Sequence, residues 1–256
     1  MKSAQTAPAS ITVTPFVVRS MSGERIEQPA ATLPENIWTE VAFTIPDLGG
    51  GQAHEIGWRI SAEMQDSPWA WGKVFIDSIT VCGAADYTID CACQRTEFGE
   101  PTPFSSNDAE SSLENGVLTI SGDGPCQAFT GNYYAADSFI EADMDSENGA
   151  CLLLRGQGTR RYYALGFTSA DSVAIVRRDG GVRTELAASE YRRSSGRCRM
   201  RAEAKGANLS LCIDGAPVLT ASDDRFSYGM VGVCHESAGV SRWSDFHIRF
   251  DTDTDD

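Results

Sequence analysis

The chain has 256 residues, with 36 acidic and 21 basic side chains, a formal net charge of −15 and 41% hydrophobic residues. That length accommodates one large domain or two of ordinary size, and burying a core is not the limiting problem. No apolar run approaches the roughly 18 residues of a membrane span. The acidity, with basic residues interleaved among carboxylates, argues against non-specific nucleic-acid binding. Neither a membrane nor a nucleic acid is therefore expected as a partner.

The N-terminus "MKSAQTAPASITVTPF" has one Lys and no apolar stretch long enough for a signal-peptide core. Short alternating runs follow, "SITVTPFVVRS", "RIEQPAATL", "IWTEVAFTIP", "AHEIGWRISAE" and "GKVFIDSITV", set apart by Gly, Pro, Asn and Asp. They predict about five strands by residue 83. The stretch from 85 to 112 is polar and acidic, lacks sustained alternation and reads as a linker or lead-in. From 113 onward the strand signal is dense: "LENGVLTISG", "CQAFTG", "SFIEADMD", "ACLLLRG", "RYYALGF", "SVAIVRR", "VRTELA", "RCRMRAEA", "LSLCID", "PVLTA", "GMVGVCHES" and "RWSDFHIRF". No segment carries apolar residues at helical spacing over three turns. The predicted class is all-β, with two antiparallel β-sandwiches spanning 1–84 and 113–250 and an acidic tail over 251–256.

Charge is unevenly placed. Residues 86–148 hold 13 acidic and one basic side chain, whereas 149–249 hold 15 basic and 10 acidic ones.

Register can be read for two hairpins. A two-residue turn at Gly206-Ala207 sets Ala204 opposite Leu209, Ala202 opposite Leu211 and Met200 opposite Ile213, which gathers the apolar residues on one face. A second turn at Asp214-Gly215 pairs Ile213 with Ala216 and Leu211 with Val218. Cys198 then points inward and Cys212 outward, so they cannot bridge. The eight cysteines are irregularly spaced and "CAC" at 91–93 is too tight for a zinc pair. Without an export signal, reduced cysteines and a cytoplasmic location are expected.

The run from "YYALGF" through "LSLCIDGAPVLTASD" and "GMVGV" to "WSDFHIRF" resembles the concanavalin-like, laminin-G-type sandwiches. "VFIDSITV" resembles the closing strand of a galactose-binding-type jelly roll. With only five strands before Gly83, where about eight are usual, either the first sandwich is reduced or the chain is a C-terminal fragment of a longer protein. The two in this order, with "WTEVAFTIPDLGG", "HEIGWRI", "VFIDSITVCGAADYTID" and "AFTGNYYAADSFIEADM", are similar to the region after the catalytic domain in some ADP-ribosylglycohydrolase-family proteins. That resemblance implies a non-catalytic accessory region binding carbohydrate or an ADP-ribose-bearing ligand, with a catalytic domain upstream. The family's helical domain, whose clustered aspartates hold magnesium, has no counterpart in these residues. A glycosidase-like enzyme on the second sandwich, or a purely structural or dimerising appendage, is the alternative.

Sugar binding calls for aromatic platforms beside directed polar groups. The candidates are Tyr133 and Tyr134 in "TGNYYAAD", Tyr162 beside Arg160 and Arg161, Arg155, Trp243, and Trp69 with Trp71 in "SPWAW". Alternation in "RYYALGF" turns Tyr163, Leu165 and Phe167 inward and Tyr162 outward, which makes Tyr162 the preferred surface contact. The structural alternative is that Tyr133 and Tyr134 cover the sandwich edge and Trp243 fills the core. Asp77 resembles a position that binds structural calcium in many jelly-roll modules, and no other cofactor is implied.

Two charged rows need weighing. Glu141, Asp143 and Asp145 share one face of "FIEADMD", as a catalytic or cation-binding row or as a solvated strand face. Arg197, Arg199 and Arg201 share one face of "RCRMRAEA" and could meet phosphates or pair with neighbouring acids. His247 reads as a surface strand residue, and no nucleophile elbow or P-loop is present.

Overall fold

The structure, a computed structural model, describes residues 10–19, 22–34, 37–49, 53–63, 74–80, 84–89, 104–107, 110–146, 149–193 and 196–251. The chain divides into two compact units, residues 1–48 with 52–82, and residues 49–51 with 83–256. Every regular element among the described residues is a strand, so the all-β reading holds.

In the first unit, β1 (Ser10–Arg19) lies between β4 (Ala53–Glu63) on one side and the short β2 (Arg25–Glu27) and β3 (Ala31–Leu33) on the other. β2 pairs with residues 16–18 of β1 and β3 with residues 11–13. Pro15, which has no amide to give, falls in the gap between them, where a central strand tolerates it. The burial of Val13, Phe16 and Val17 anchors β1, and the Arg25 guanidinium sits 3.5 Å from the Phe16 ring centroid.

Among the described residues, two expected strands are absent from this sheet. Residues 37–48 and 74–80 carry no strand pairing, and Trp38, Phe75, Ile76 and Ile79 are 72%, 71%, 64% and 61% exposed. The described part of "VFIDSITV", residues 74–80, with Val81 outside the described residues, is therefore not a closing strand. Its alternation satisfies strand propensity, but a strand exists only by its neighbour's hydrogen bonds.

The second unit is a two-sheet sandwich. Its strands are β5 (Ala85–Ile89), β6 (Ser105–Asn107), β7 (Glu110–Glu114), β8 (Val117–Gly122), β9 (Cys126–Thr130), β10 (Asp137–Asp145), β11 (Cys151–Gly156), β12 (Arg161–Ser169), β13 (Ser172–Asp179), β14 (Val182–Glu190), β15 (Arg197–Lys205), β16 (Asn208–Ile213), β17 (Ala216–Ser222), β18 (Met230–His235) and β19 (Gly239–Asp251). One sheet runs β17-β16-β15-β10-β19-β8-β7, and the other runs β14-β13-β12-β11-β18-β9-β6. Strand β19 serves two neighbours on one edge, pairing its first half with β8 and residues 246–250 with β5.

The core between the sheets is built from the alternate, inward-facing residues along the strands of both sheets, among them Ile140, Met144, Leu152, Leu165, Leu211 and Trp243. A second buried cluster, including Phe129, Leu153, Tyr162 and Val176, lies on the other face of the β14-to-β6 sheet.

All twelve runs expected beyond residue 113 are found as strands. "LENGVLTISG" is the hairpin β7–β8, turning at Asn115 (φ 52°) and Gly116 (φ 77°) as a type I′ turn requires. Within the stretch read as linker, residues 85–112, the structure places β5, β6 and the start of β7. The β15–β16 register is the expected one, with Ala204, Ala202 and Met200 opposite Leu209, Leu211 and Ile213. The next hairpin departs from expectation: Ile213 meets Ala216, but the pairing shifts between Leu211 and Cys212, so Leu211 faces Leu219 rather than Val218. Pro217 lies at that irregularity, where its missing amide breaks the ladder least.

Candidate ligand-binding site

Five connections meet at one end of the sandwich, those following β9, β11, β13, β15 and β17. Backbone bonds tie them in pairs: Gly181 N to Arg160 O (3.3 Å), Gly229 N to Ala135 O (2.9 Å) and Asp223 N to Ala207 O (2.9 Å). The loops are held together from beneath by Arg155, the penultimate residue of β11, which has a left-handed conformation (φ 49°) and is only 2% exposed. Its Nε donates to Ala136 O (3.1 Å), its Nη1 to Phe226 O (2.8 Å), and its Nη2 to Gly206 O (2.7 Å) and Asp137 Oδ1 (3.3 Å). Burial pushes the guanidinium below its ordinary pKa, and Asp137 offsets this. Arg155 is thus not a ligand contact as expected, because its planar fork is spent on the carbonyls of three loops.

Gly229 lies against this residue, where a Cβ would stand 2.4 Å from the Arg155 carbonyl carbon. The loop before it is pinned by Tyr163, whose hydroxyl donates to Asp223 Oδ1 (2.6 Å) and accepts from Phe226 N (3.1 Å). Desolvation, reinforced by Asp223, raises the pKa of that phenol.

On this rigid base stand three tyrosines. Tyr133 and Tyr134 come from the β9–β10 connection, where Asn132 Oδ1 accepts from Tyr134 N (2.9 Å) in an Asx turn. Tyr228 comes from the β17–β18 connection. Ring centroids are 5.3 Å apart for Tyr133–Tyr134, 5.7 Å for Tyr133–Tyr228 and 6.4 Å for the stacked Tyr134–Tyr228 pair. Tyr134 is 79% exposed, and Tyr133 and Tyr228 are 38% and 39% exposed. Gln157 Nε2 donates to Tyr228 O (2.9 Å), placing an amide beside the cluster. Tyr228 was missed in the sequence because "RFSYGMVG" reads as the lead-in to a strand. An aromatic residue two positions before β18, in a turn-rich segment, was the available signal.

The remaining candidates lie elsewhere. Tyr162 does turn away from the main core, but the face it joins is covered and it is 1% exposed. Its hydroxyl donates to Glu236 Oε1 (3.0 Å) and accepts from Gln127 Nε2 (3.3 Å), and burial, then Cys234 and Glu236, pushes its pKa up. It is a packed residue, not a surface contact. Trp243 is fully buried with its Nε1 donating to Ser241 Oγ (2.7 Å), so it fills the core and is no sugar platform. Trp69 and Trp71 lie outside the described residues. Asp77 is exposed, and among the described residues no group of three His, Cys, Asp or Glu side chains suits a metal ion.

The two charged rows face each other. Glu141, Asp143 and Asp145 on β10 stand opposite Arg201, Arg199 and Arg197 on β15. Asp143 accepts from Arg197 (2.6 Å) and Arg199 (3.1 Å), while Arg199 also reaches Glu141 (3.4 Å). Partial burial raises the pKa of Asp143, but the two arginine bonds outweigh it and hold the carboxyl below its ordinary value. The hollow between Glu141, Arg199, Arg201 and Glu203, about 220 Å³, is therefore lined by mutually neutralised charges. Phe139 shares this face under the Arg201 guanidinium (4.2 Å to the ring centroid). His247, half-exposed on β19, shares a 2.6 Å contact with Asp86.

No family model matches the chain, and no curated protein sequence matches it. Among solved structures it resembles the carbohydrate binding module CBM66 from Bacillus subtilis, with a TM-score of 0.51 at 17% identity over 56% of this chain and 94% of that one. A Bacillus subtilis protein of unknown function with a galectin-like fold matches with a TM-score of 0.45 at 13% identity, over 59% of this chain and 91% of that one. The exoplasmic/lumenal domain of VIP36 matches with a TM-score of 0.44 at 10% identity, over 60% and 85%. At 17% identity the first likeness is one of architecture: the chain is similar in fold to a carbohydrate-binding module.

Proposed function

We propose that the second unit is a non-catalytic carbohydrate-binding module, seating a sugar on Tyr133, Tyr134 and Tyr228. The observation that carries this reading is the exposed tyrosine trio on loops fastened by a buried arginine: rigid aromatic faces for sugar C–H surfaces, with phenol and amide groups for hydroxyls. The fold shared with a carbohydrate-binding module supports it. A neutral saccharide is favoured over an ADP-ribose-bearing ligand, whose phosphates call for free guanidinium groups. At this end Arg161 and Arg225 both pair with Asp179 and the arginine row on β15 is matched by acids, which leaves the exposed Arg160 as a lone guanidinium where a diphosphate would call for several.

The accessory role to an ADP-ribosylglycohydrolase-type hydrolase rests on the sequence motifs quoted above. It is tested by reading the coding sequence upstream, where a helical domain with clustered aspartates is expected. A glycosidase activity on this sandwich is disfavoured because Glu141 and Asp143 share arginines instead of flanking an open cleft.

The binding test is a glycan array followed by calorimetric titration of the best saccharide. A sugar face covering roughly 55 Å² of the Tyr134 ring contributes about 1.4 kcal/mol, so Tyr134→Ala weakens binding about tenfold. A saccharide bound equally well by Tyr134→Ala and Tyr228→Ala overturns the assignment.

A further inference from the structure

The buried cluster on the far face of the β14-to-β6 sheet contains two cysteines that sugar binding does not use. Cys151 on β11 and Cys234 on β18 are directly opposed partners in the antiparallel ladder. Both belong to that cluster and are 1% and 0% exposed. Directly opposed Cα atoms in an antiparallel pair stand about 4.5 or 5.5 Å apart, within the roughly 4.4–6.8 Å that a disulfide spans.

We propose that Cys151 and Cys234 are the site of a cross-strand disulfide that joins β11 to β18. No other described cysteine stands directly opposite a cysteine in a strand ladder. Cys198 and Cys212 lie on opposite faces of their sheet, and Cys126 stands opposite His235. With both thiols free, Cys151 Sγ contacts Phe167 O (3.5 Å) and shares a side-chain hydrogen bond with Cys234, contacts that the cross-link would replace.

The chemistry needs an oxidant, for which a small-molecule disulfide such as oxidised glutathione suffices. One protein thiolate attacks it, forming a mixed disulfide and releasing one glutathione thiolate. The second protein thiolate then displaces the other glutathione, so the protein loses two protons and two electrons and two glutathione thiols form. In the folded, reduced state burial, and then Cys151 itself, hold the Cys234 thiol well above its ordinary pKa. Thiolate is scarce there and the sulfurs are covered, so the bond forms while the chain folds and is afterwards shielded from reductant.

The test is refolding of the full chain in a mixture of reduced and oxidised glutathione, with acid quench, alkylation and non-reducing peptide mapping. Protein produced in an oxidising periplasm provides a second preparation. The expected result is one linked peptide pair containing Cys151 and Cys234, collapsing to two alkylated peptides after reduction. The oxidised form should melt higher than the reduced one by roughly 10 °C, since the loop closed is long. Complete alkylation of both cysteines in both preparations, or their linkage to other cysteines, overturns the proposal.

Discussion

Replacing Arg155 with methionine keeps much of the side chain's length while removing its charge and all of its donors. Four acceptors then lose this donor: the carbonyls of Ala136, Phe226 and Gly206, and the Asp137 carboxylate, which keeps only the bond from Gly206 N among those described. Breaking a buried ion pair by deleting one member costs roughly 3–5 kcal/mol. Asp137 is 24% exposed and regains some hydration, so the lower end, about 3 kcal/mol, applies here. Both residues bear the same left-handed backbone, so that strain cancels in the comparison. For a unit of this size the loss corresponds to a melting point lower by about 6–12 °C. The local readout is hydrogen exchange. Gly206 N donates to Asp137 Oδ1 and Gly229 N to Ala135 O, and both amides should lose protection before those of β15 and β16. Arg155→Lys, which keeps the charge but not the fork, should fall between wild type and methionine. A melting point within 2 °C of wild type with unchanged protection at Gly206 and Gly229 would refute the view that this guanidinium holds the loops.

Gly229→Ala should fail to fold stably, judged by loss of soluble monomer, because φ is +147° and the added Cβ meets the Arg155 backbone. Asp143 has a depressed pKa in the folded state, so its contribution to stability is complete above its ordinary 3.8 and is lost as pH falls through the folded value. Urea titrations of Asp143→Asn should show a flatter decline than wild type below that pH. His235 is buried and its pKa is lowered by desolvation, so its neutral form is favoured. Stability is complete above 6.5 and declines as pH falls from there towards the folded pKa, and an NMR titration should place the His235 midpoint below 6.5.

The sandwich from residue 113 onward was legible because hydrophobic alternation and turn chemistry agree there. At Gly206-Ala207 a turn and an apolar face specify one register, and the structure has it. Register failed where a proline intervened: nothing in "APVLTAS" announces that Leu211 will meet Leu219. "VFIDSITV" misled because alternation describes a strand's faces and says nothing of whether an edge is available to receive it. β5 was hidden for the opposite reason, since "ADYTI" is too polar to advertise a strand and is held by its ladder to β19.

The site was half visible. Tyr133 and Tyr134 stood out as adjacent aromatics in a turn, whereas Tyr228, 94 residues downstream of Tyr134, joins them only through topology. Tyr162 shows the limit of a two-face reading. Alternation assigns the face correctly, but whether that face meets solvent depends on what covers it, and this one is buried.

The first unit leaves nine large apolar side chains exposed among its described residues, Trp38 and Phe75 foremost. Such a surface favours association between molecules at high concentration. Under the proposed function, two linked copies would bind an immobilised glycan with avidity, and a weak single-site contact would then register as tight. The proposed saccharide binding should therefore be measured by dilute solution titration against soluble saccharide, with array intensities used only to rank ligands.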